Sequence, residues 1–152
     1  MSAAYFYHLT RRPIEVTLPA LLTKSLEAGW RVYIRGTDQD RLKTLDEKLW
    51  LGADDSFLPH GIEGTEHDAD QPILLGTGET AANGATCLIC VDGADVTPNE
   101  VKNSARVCVM FNGNDDAELG AARGQWKTLV GAGCSAQYWA EDDGGWQKKA
   151  ER

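Results

Sequence analysis

Several absences bound what this chain can be. No apolar run approaches the ~20 residues that a helix needs to cross a bilayer. The first residues do not follow the basic-then-apolar layout of a secretory signal. The expectation is a soluble, cytoplasmic protein with no membrane contact. Positive charge is in deficit: 15 Lys and Arg stand against 23 Asp and Glu, a formal net charge of -8. Broad, non-specific binding to nucleic acid is therefore disfavoured, because a local basic patch would have to overcome phosphate repulsion. Cysteine is confined to Cys87, Cys90, Cys108 and Cys134. In a cytosolic chain these read as reduced, buried small hydrophobes rather than disulfides.

Catalytic motifs are missing as well. Gly76-Thr77-Gly78 is the nearest approach to a phosphate loop. It lacks the third glycine of the dinucleotide fingerprint and the Lys-Ser/Thr of a P-loop. Glu79 beside it would repel phosphate. A flexible turn is the better reading; a small nucleotide-binding enzyme using Gly76–Thr80 is the alternative function. Cys87 and Cys90 form a C-x2-C pair, but no second pair or histidine set completes a zinc site. They also fall in a strand pattern, where residues three apart point to opposite faces. Glu66, His67, Asp68 and Asp70 read as a solvated acidic loop, and His60 as a local hydrogen-bonding group. No nucleophile, base and orienting group stand out together. No catalytic residue, metal or cofactor is expected.

What is present is a globular domain. At 152 residues and 42% hydrophobic, the chain can bury one sizeable core. Aromatic-rich Ala4–Leu9 reads as a strand, Arg11–Pro13 as a turn, and 17–28 as a helix stopped by Gly29. A strand over Trp30–Arg35 follows, then a helix N-capped by Asp38 and closed by Trp50. Residues 61–71 read as an acidic loop, Ile73–Leu75 as a short apolar run, and 76–84 as loop again. Thr86–Val91 and Ala105–Phe111 are apolar runs suited to strands buried on both faces. Between them, Pro98 fits the first turn of a short helix over 97–103. A helix over 115–130, a strand over Cys134–Trp139 and a charged tail over Trp146–Arg152 complete the chain. This alternation predicts a single α/β domain over 1–152 with a mainly parallel sheet covered on both faces.

Two stretches carry candidate binding residues. In 45–61, Trp50 closes a helix and Phe57 stands just before Leu58-Pro59. Two large aromatics thus flank a short polar loop. They either fold inward as core or stand out as partner anchors, a role in which Trp is enriched. In the helix near Arg123, an apolar stripe runs through Leu119, Ala122, Trp126, Leu129 and Val130. Arg123 and Lys127 lie four apart, so both heads project from one side, with Trp126 at its border. Such a cationic pair beside an aromatic suits a peptide of acidic residues ending in an apolar residue with a free carboxylate. The alternative is a solvated helix edge with Trp126 in the core.

Motifs spread over nearly the whole chain carry a resemblance. They are AAYFYHLT near the N-terminus, GWRVYI, LDEKLW followed by DDSFLPHG, ICVDGA, ARGQWK, and YWAEDDGGWQKKA near the C-terminus. Together they resemble the chi-subunit family of bacterial DNA polymerase III, a clamp-loader accessory family. The resemblance implies a Rossmann-like, three-layer domain. It further implies a non-catalytic adaptor that links the clamp loader to single-stranded DNA-binding protein and meets DNA only indirectly. Arg123, Trp126 and Lys127 match the family's Arg-x-x-aromatic-Lys pattern for the acidic tail of single-stranded DNA-binding protein. Leu119 stands where the family carries a basic residue. Trp50 and Phe57 match the aromatics that meet the psi subunit or another clamp-loader component, a surface for which a helicase could compete.

Overall fold

The unbroken apolar runs of the sequence form the middle of one sheet. The computed structural model describes residues 3–51, 59–142 and 145–152. In chain order the elements are β1 (Ala3–Leu9), α1 (Ile14–Glu27), β2 (Val32–Arg35), α2 (Gln39–Trp50), β3 (His60–Ile62) and β4 (Ile73–Gly76). Then come β5 (Cys87–Cys90), α3 (Pro98–Asn103), β6 (Arg106–Asn112), α4 (Asp116–Gly131), β7 (Ser135–Asp142) and β8 (Gly145–Glu151). Among the described residues the strands make a single sheet in the order β3-β4-β2-β5-β6-β1-β7-β8. All pairs are parallel except β7 with β8.

Every residue of β2, β4 and β5 is buried, as strands sandwiched between two helical layers require. Leu18 and Leu22 of α1 and Leu42, Leu45 and Leu49 of α2 fill one face of the sheet. Val101 of α3 and Ala122 and Leu129 of α4 fill the other. The three-layer α/β domain follows from this pattern. Cys87 belongs to the first face and Cys90 to the second, and all four cysteines are free and buried.

Local chemistry sets the helix starts. The Asp38 carboxylate accepts from the Asp40 N–H, and Asp115 accepts from the N–H groups of Ala117 and Glu118. Thr97 and Glu100 form a reciprocal capping box, with Pro98 in the first turn. Arg35, at the end of β2, is buried and fully engaged. It donates to the carbonyls of Gly78, Glu79 and Asp95 at 2.9–3.1 Å and grips the Glu100 carboxylate at 2.7 and 3.0 Å. A buried charge is tolerated only with partners of this kind.

Three segments differ from the sequence expectations. Residues 146–152 are not a tail: they form most of β8, where Trp146 meets Tyr7 edge-on at 5.3 Å. The segment 61–71 contains part of the edge strand β3 and a 3-10 turn at Asp68–Asp70. Helix α1 begins at Ile14, three residues before the expected start, because Pro13 supplies an extended entry. Its backbone carbonyl takes the first helical bonds from Val16 and Thr17.

The turn after β1 is fastened by a buried carboxylate on β7. Glu141 Oε1 accepts from the N–H groups of Thr10, Arg11 and Arg12 at 3.1–3.4 Å, and Oε2 accepts from Arg12 Nε at 2.8 Å. Burial pushes this carboxyl up, but the Arg12 guanidinium and the three N–H groups outweigh it and hold it below the usual range. The bound form is therefore the ionised one. Its stabilisation is complete above the ordinary glutamate value near 4.3 and is lost as pH falls through the lower, folded-state value. We expect Glu141→Gln to cost about 1.5–3 kcal/mol in urea unfolding at neutral pH. The difference from the unsubstituted chain should shrink below about pH 4. A pH-independent difference would show that the carboxylate's charge plays no part.

Candidate functional site

Helix α4 lies across β1, β6 and β7. Ala122, Gln125 and Leu129 are buried, and Leu119 and Trp126 pack against the same cluster from its margin. Val130, four residues after Trp126, is only partly buried. Gln125 takes a place in the stripe that its polarity concealed: its Nε2 donates to Ala94 O at 2.9 Å. Trp126 is half-buried. Its ring meets Phe6 at 5.4 Å and Tyr138 at 5.9 Å, both edge-to-face. Three aromatics from a helix and two strands thus fix one another, in the geometry that ring quadrupoles favour.

Arg123 and Lys127 stand beside this floor on the solvent side, both exposed. Among the described residues neither is held in an ion pair, whereas Arg12, Arg35, Arg41 and Lys148 each are. The structure therefore brings Arg123, Trp126 and Lys127 together on one face. It adds two residues that sequence reading missed. His8, at the end of β1, places Nδ1 2.7 Å from the Tyr138 hydroxyl and lays its ring against Phe111 at 5.0 Å. A side chain at Gly113 would collide with the His8 ring, so that glycine permits the ring's position. Burial, with the Arg123 guanidinium adding to it, holds the His8 imidazolium below the usual histidine range. Burial pushes the Tyr138 hydroxyl up, with Arg123 pulling against it. The available signal was strand alternation, which puts His8 on the same face as Phe6.

The second candidate surface lies at the far end of α2. Trp50 is 52% exposed and Leu51 81%. The inner face of the Trp50 ring lies on the buried His60 ring, with centroids 4.1 Å apart. Its indole N–H donates to the Asp46 carboxylate, which burial pushes up while His60 and this bond pull it down. His60 Nε2 in turn is 3.1 Å from Asp46 O. Trp50 is thus pinned on one side and open on the other. Phe57, the other expected aromatic of this surface, lies outside the described residues.

Two N–H groups of the Gly76–Thr80 loop are engaged by side chains of the fold. The Thr77 N–H donates to the Glu63 carboxylate at 3.0 Å, and the Gly78 N–H donates to the Tyr33 hydroxyl at 2.9 Å. Burial and its own bond to Glu63 push the Tyr33 hydroxyl up to about 12, so it keeps its proton. A side chain at Gly76 would strike Glu63. The Thr77 and Gly78 N–H groups are thus committed to a carboxylate and a hydroxyl of the fold, and that carboxylate would repel phosphate. In the acidic loop, Asp68 accepts from the N–H groups of Gly64 and Thr65, so it closes a turn.

Fold and surface together define a three-layer α/β scaffold that bears an exposed tryptophan at the end of α2 and a half-buried one on α4 between two exposed cations. The chain belongs to the DNA polymerase III chi subunit (HolC) family, whose model matches residues 1–137. Over 69 residues it is 35% identical to DNA polymerase III subunit chi of Pseudomonas aeruginosa. That match covers 45% of this chain and 47% of the relative, so the chain spans about half the length of that curated protein. Among the described residues no helix is long and apolar enough to cross a membrane.

The two tryptophans should respond differently to truncation. Trp126→Ala removes two ring contacts and buried area and should cost about 2–4 kcal/mol. Trp50→Ala removes a half-exposed ring and should cost less than about 1.5 kcal/mol. Thermal melts of the two purified variants check this. A larger loss for Trp50→Ala would mean that its ring is core rather than surface.

Proposed function

We propose that this chain is a non-catalytic accessory subunit of a DNA polymerase III assembly. In this reading it binds the acidic C-terminal tail of single-stranded DNA-binding protein through Arg123, Trp126 and Lys127. It joins the clamp-loader side, through psi or an equivalent component, by way of Trp50 and Phe57. A helicase is a competing occupant for that second surface. The observation that carries the reading is an exposed cation pair, without an ion-pair partner among the described residues, beside a half-buried tryptophan on a chain of net charge -8. Elsewhere the acidic surface repels phosphate, so DNA is reached through the partner rather than directly.

The chemistry of the α4 face suits such a tail. A planar guanidinium can grip a terminal carboxylate with two hydrogen bonds, while an ammonium acts as a point charge for neighbouring acidic residues. An apolar terminal side chain can settle against Trp126. Family membership supports the assembly, and the Glu63 carboxylate and Tyr33 hydroxyl that engage the Thr77 and Gly78 N–H groups argue against the nucleotide-binding alternative. Leu119 offers no charge at the position where the family pattern has one, so Arg123 carries more of the binding here.

Titration with a labelled acidic peptide that ends in a free carboxylate tests this. Arg123→Ala should weaken binding by about 1.5–3 kcal/mol, and Lys127→Ala by less. Binding should also fall as salt rises. Equal, salt-insensitive affinities for the three proteins would remove the α4 face from consideration.

A further inference from the structure

The α4 face holds a hydrogen-bonded pair that none of the assigned roles uses. His8 Nδ1 and the Tyr138 hydroxyl are 2.7 Å apart, on adjacent parallel strands, beneath the helix that carries Arg123 and Trp126. Tyr138 also forms part of the aromatic floor, edge-on to Trp126 at 5.9 Å and to His8 at 5.9 Å. Both side chains are only partly buried.

We propose that His8 and Tyr138 belong to the same anion-binding site as Arg123, and that a docked carboxylate draws a proton onto this pair. The inference rests on the tail-binding reading of the α4 face and adds a proton to it.

The groups that face His8 set its charge. From α4 the charged group is Arg123; from β7 it is the Tyr138 hydroxyl; β6 presents Phe111; and Gly113 packs against the ring edge. Among the described residues, the charge that acts on His8 is that of Arg123. In the free protein, burial and that charge together keep the imidazole neutral at pH 7. A carboxylate seated on Arg123 cancels the repulsion and brings a negative charge to the same side. Both changes favour the imidazolium.

Protonation also changes the hydrogen bond. A neutral imidazole can accept the Tyr138 hydroxyl proton at Nδ1, whereas an imidazolium can only donate there. Tyr138 then accepts from His8, and its own proton is released to point outward as a donor for the ligand. No bond other than these hydrogen bonds changes, and the proton comes from solvent. Because binding raises the affinity for a proton, a lower pH must raise the affinity for the carboxylate. One unit of change in the His8 value corresponds to about tenfold in binding.

The test is fluorescence anisotropy with a labelled peptide of aspartates ending in phenylalanine with a free carboxylate. Its own carboxylates stay ionised between about pH 5.5 and 7.5. The intact chain should bind several-fold to about tenfold more tightly at the lower pH. His8→Gln, which keeps a hydrogen bond to Tyr138 but cannot take up a proton, should bind with little pH dependence. Tyr138→Phe should bind less tightly at pH 5.5 and show a shallower slope. In parallel, the His8 ring resonances followed by NMR on the intact chain should titrate at a higher pH with peptide than without. Peptide binding that is independent of pH, a slope retained in His8→Gln, or an unmoved His8 titration would overturn the proposal while leaving tail binding intact. No binding by the intact chain at either pH would overturn both.

Discussion

The edge-to-face contact between Phe6 and Trp126 is the constraint on which the α4 face depends. Phe6 has no solvent exposure and sits in the strand paired on both sides by β6 and β7. Its ring cannot retreat, because close-packed interiors leave little room for side-chain movement. Trp126 is therefore held at a fixed height, with part of its ring in water. Arg123, three residues earlier, and Lys127, one later, inherit their positions from that height. Tyr138 closes the floor from β7, and His8 supports Tyr138. A binding face on a helix is only as precise as the sheet beneath it, and here a strand paired on both sides supplies the support.

The other aromatic patch is built on a different rule. Trp50 ends α2, and its inner face rests on His60, which joins an edge strand. Helix α2 covers the opposite side of the sheet from α4, and β3 stands at the opposite end of the strand order from β7 and β8. The two patches thus occupy opposite sides and opposite ends of one rigid sheet. In the proposed adaptor role, two partners could sit on this chain at once without competing for space. The charges differ as well. Arg123 and Lys127 suit an acidic partner, while Trp50 and Leu51 offer exposed apolar area suited to an apolar groove.

Much of this was legible in the sequence, for identifiable reasons. The central strands β5 and β6 are continuous apolar runs, and their burial on both faces follows from composition alone. Asp38, Thr97 and Asp115 mark helix starts through short side chains that reach the first N–H groups. The stripe around Trp126 is periodic, so its side of the helix was readable. What sequence cannot display is contact across the sheet: His8 and Tyr138 are 130 residues apart and meet only through strand order. Strand β8 was hidden because an edge strand facing water needs little apolar alternation, and Lys148 and Lys149 read as a tail. Strand β3 was hidden by its three-residue length and its glycine. Gln125 was hidden because a glutamine within an apolar stripe shows nothing of the carbonyl that awaits it.

The central claim is that the α4 face, and not another surface, receives an acidic carboxylate-ended peptide. The most direct measurement is NMR chemical-shift mapping of the isotope-labelled chain as such a peptide is added. The largest shifts should fall on the Trp126 indole N–H, the Arg123–Lys127 backbone and Tyr138, and they should saturate together. Shifts centred on Trp50 and His60, or spread evenly over the surface without saturation, would contradict it.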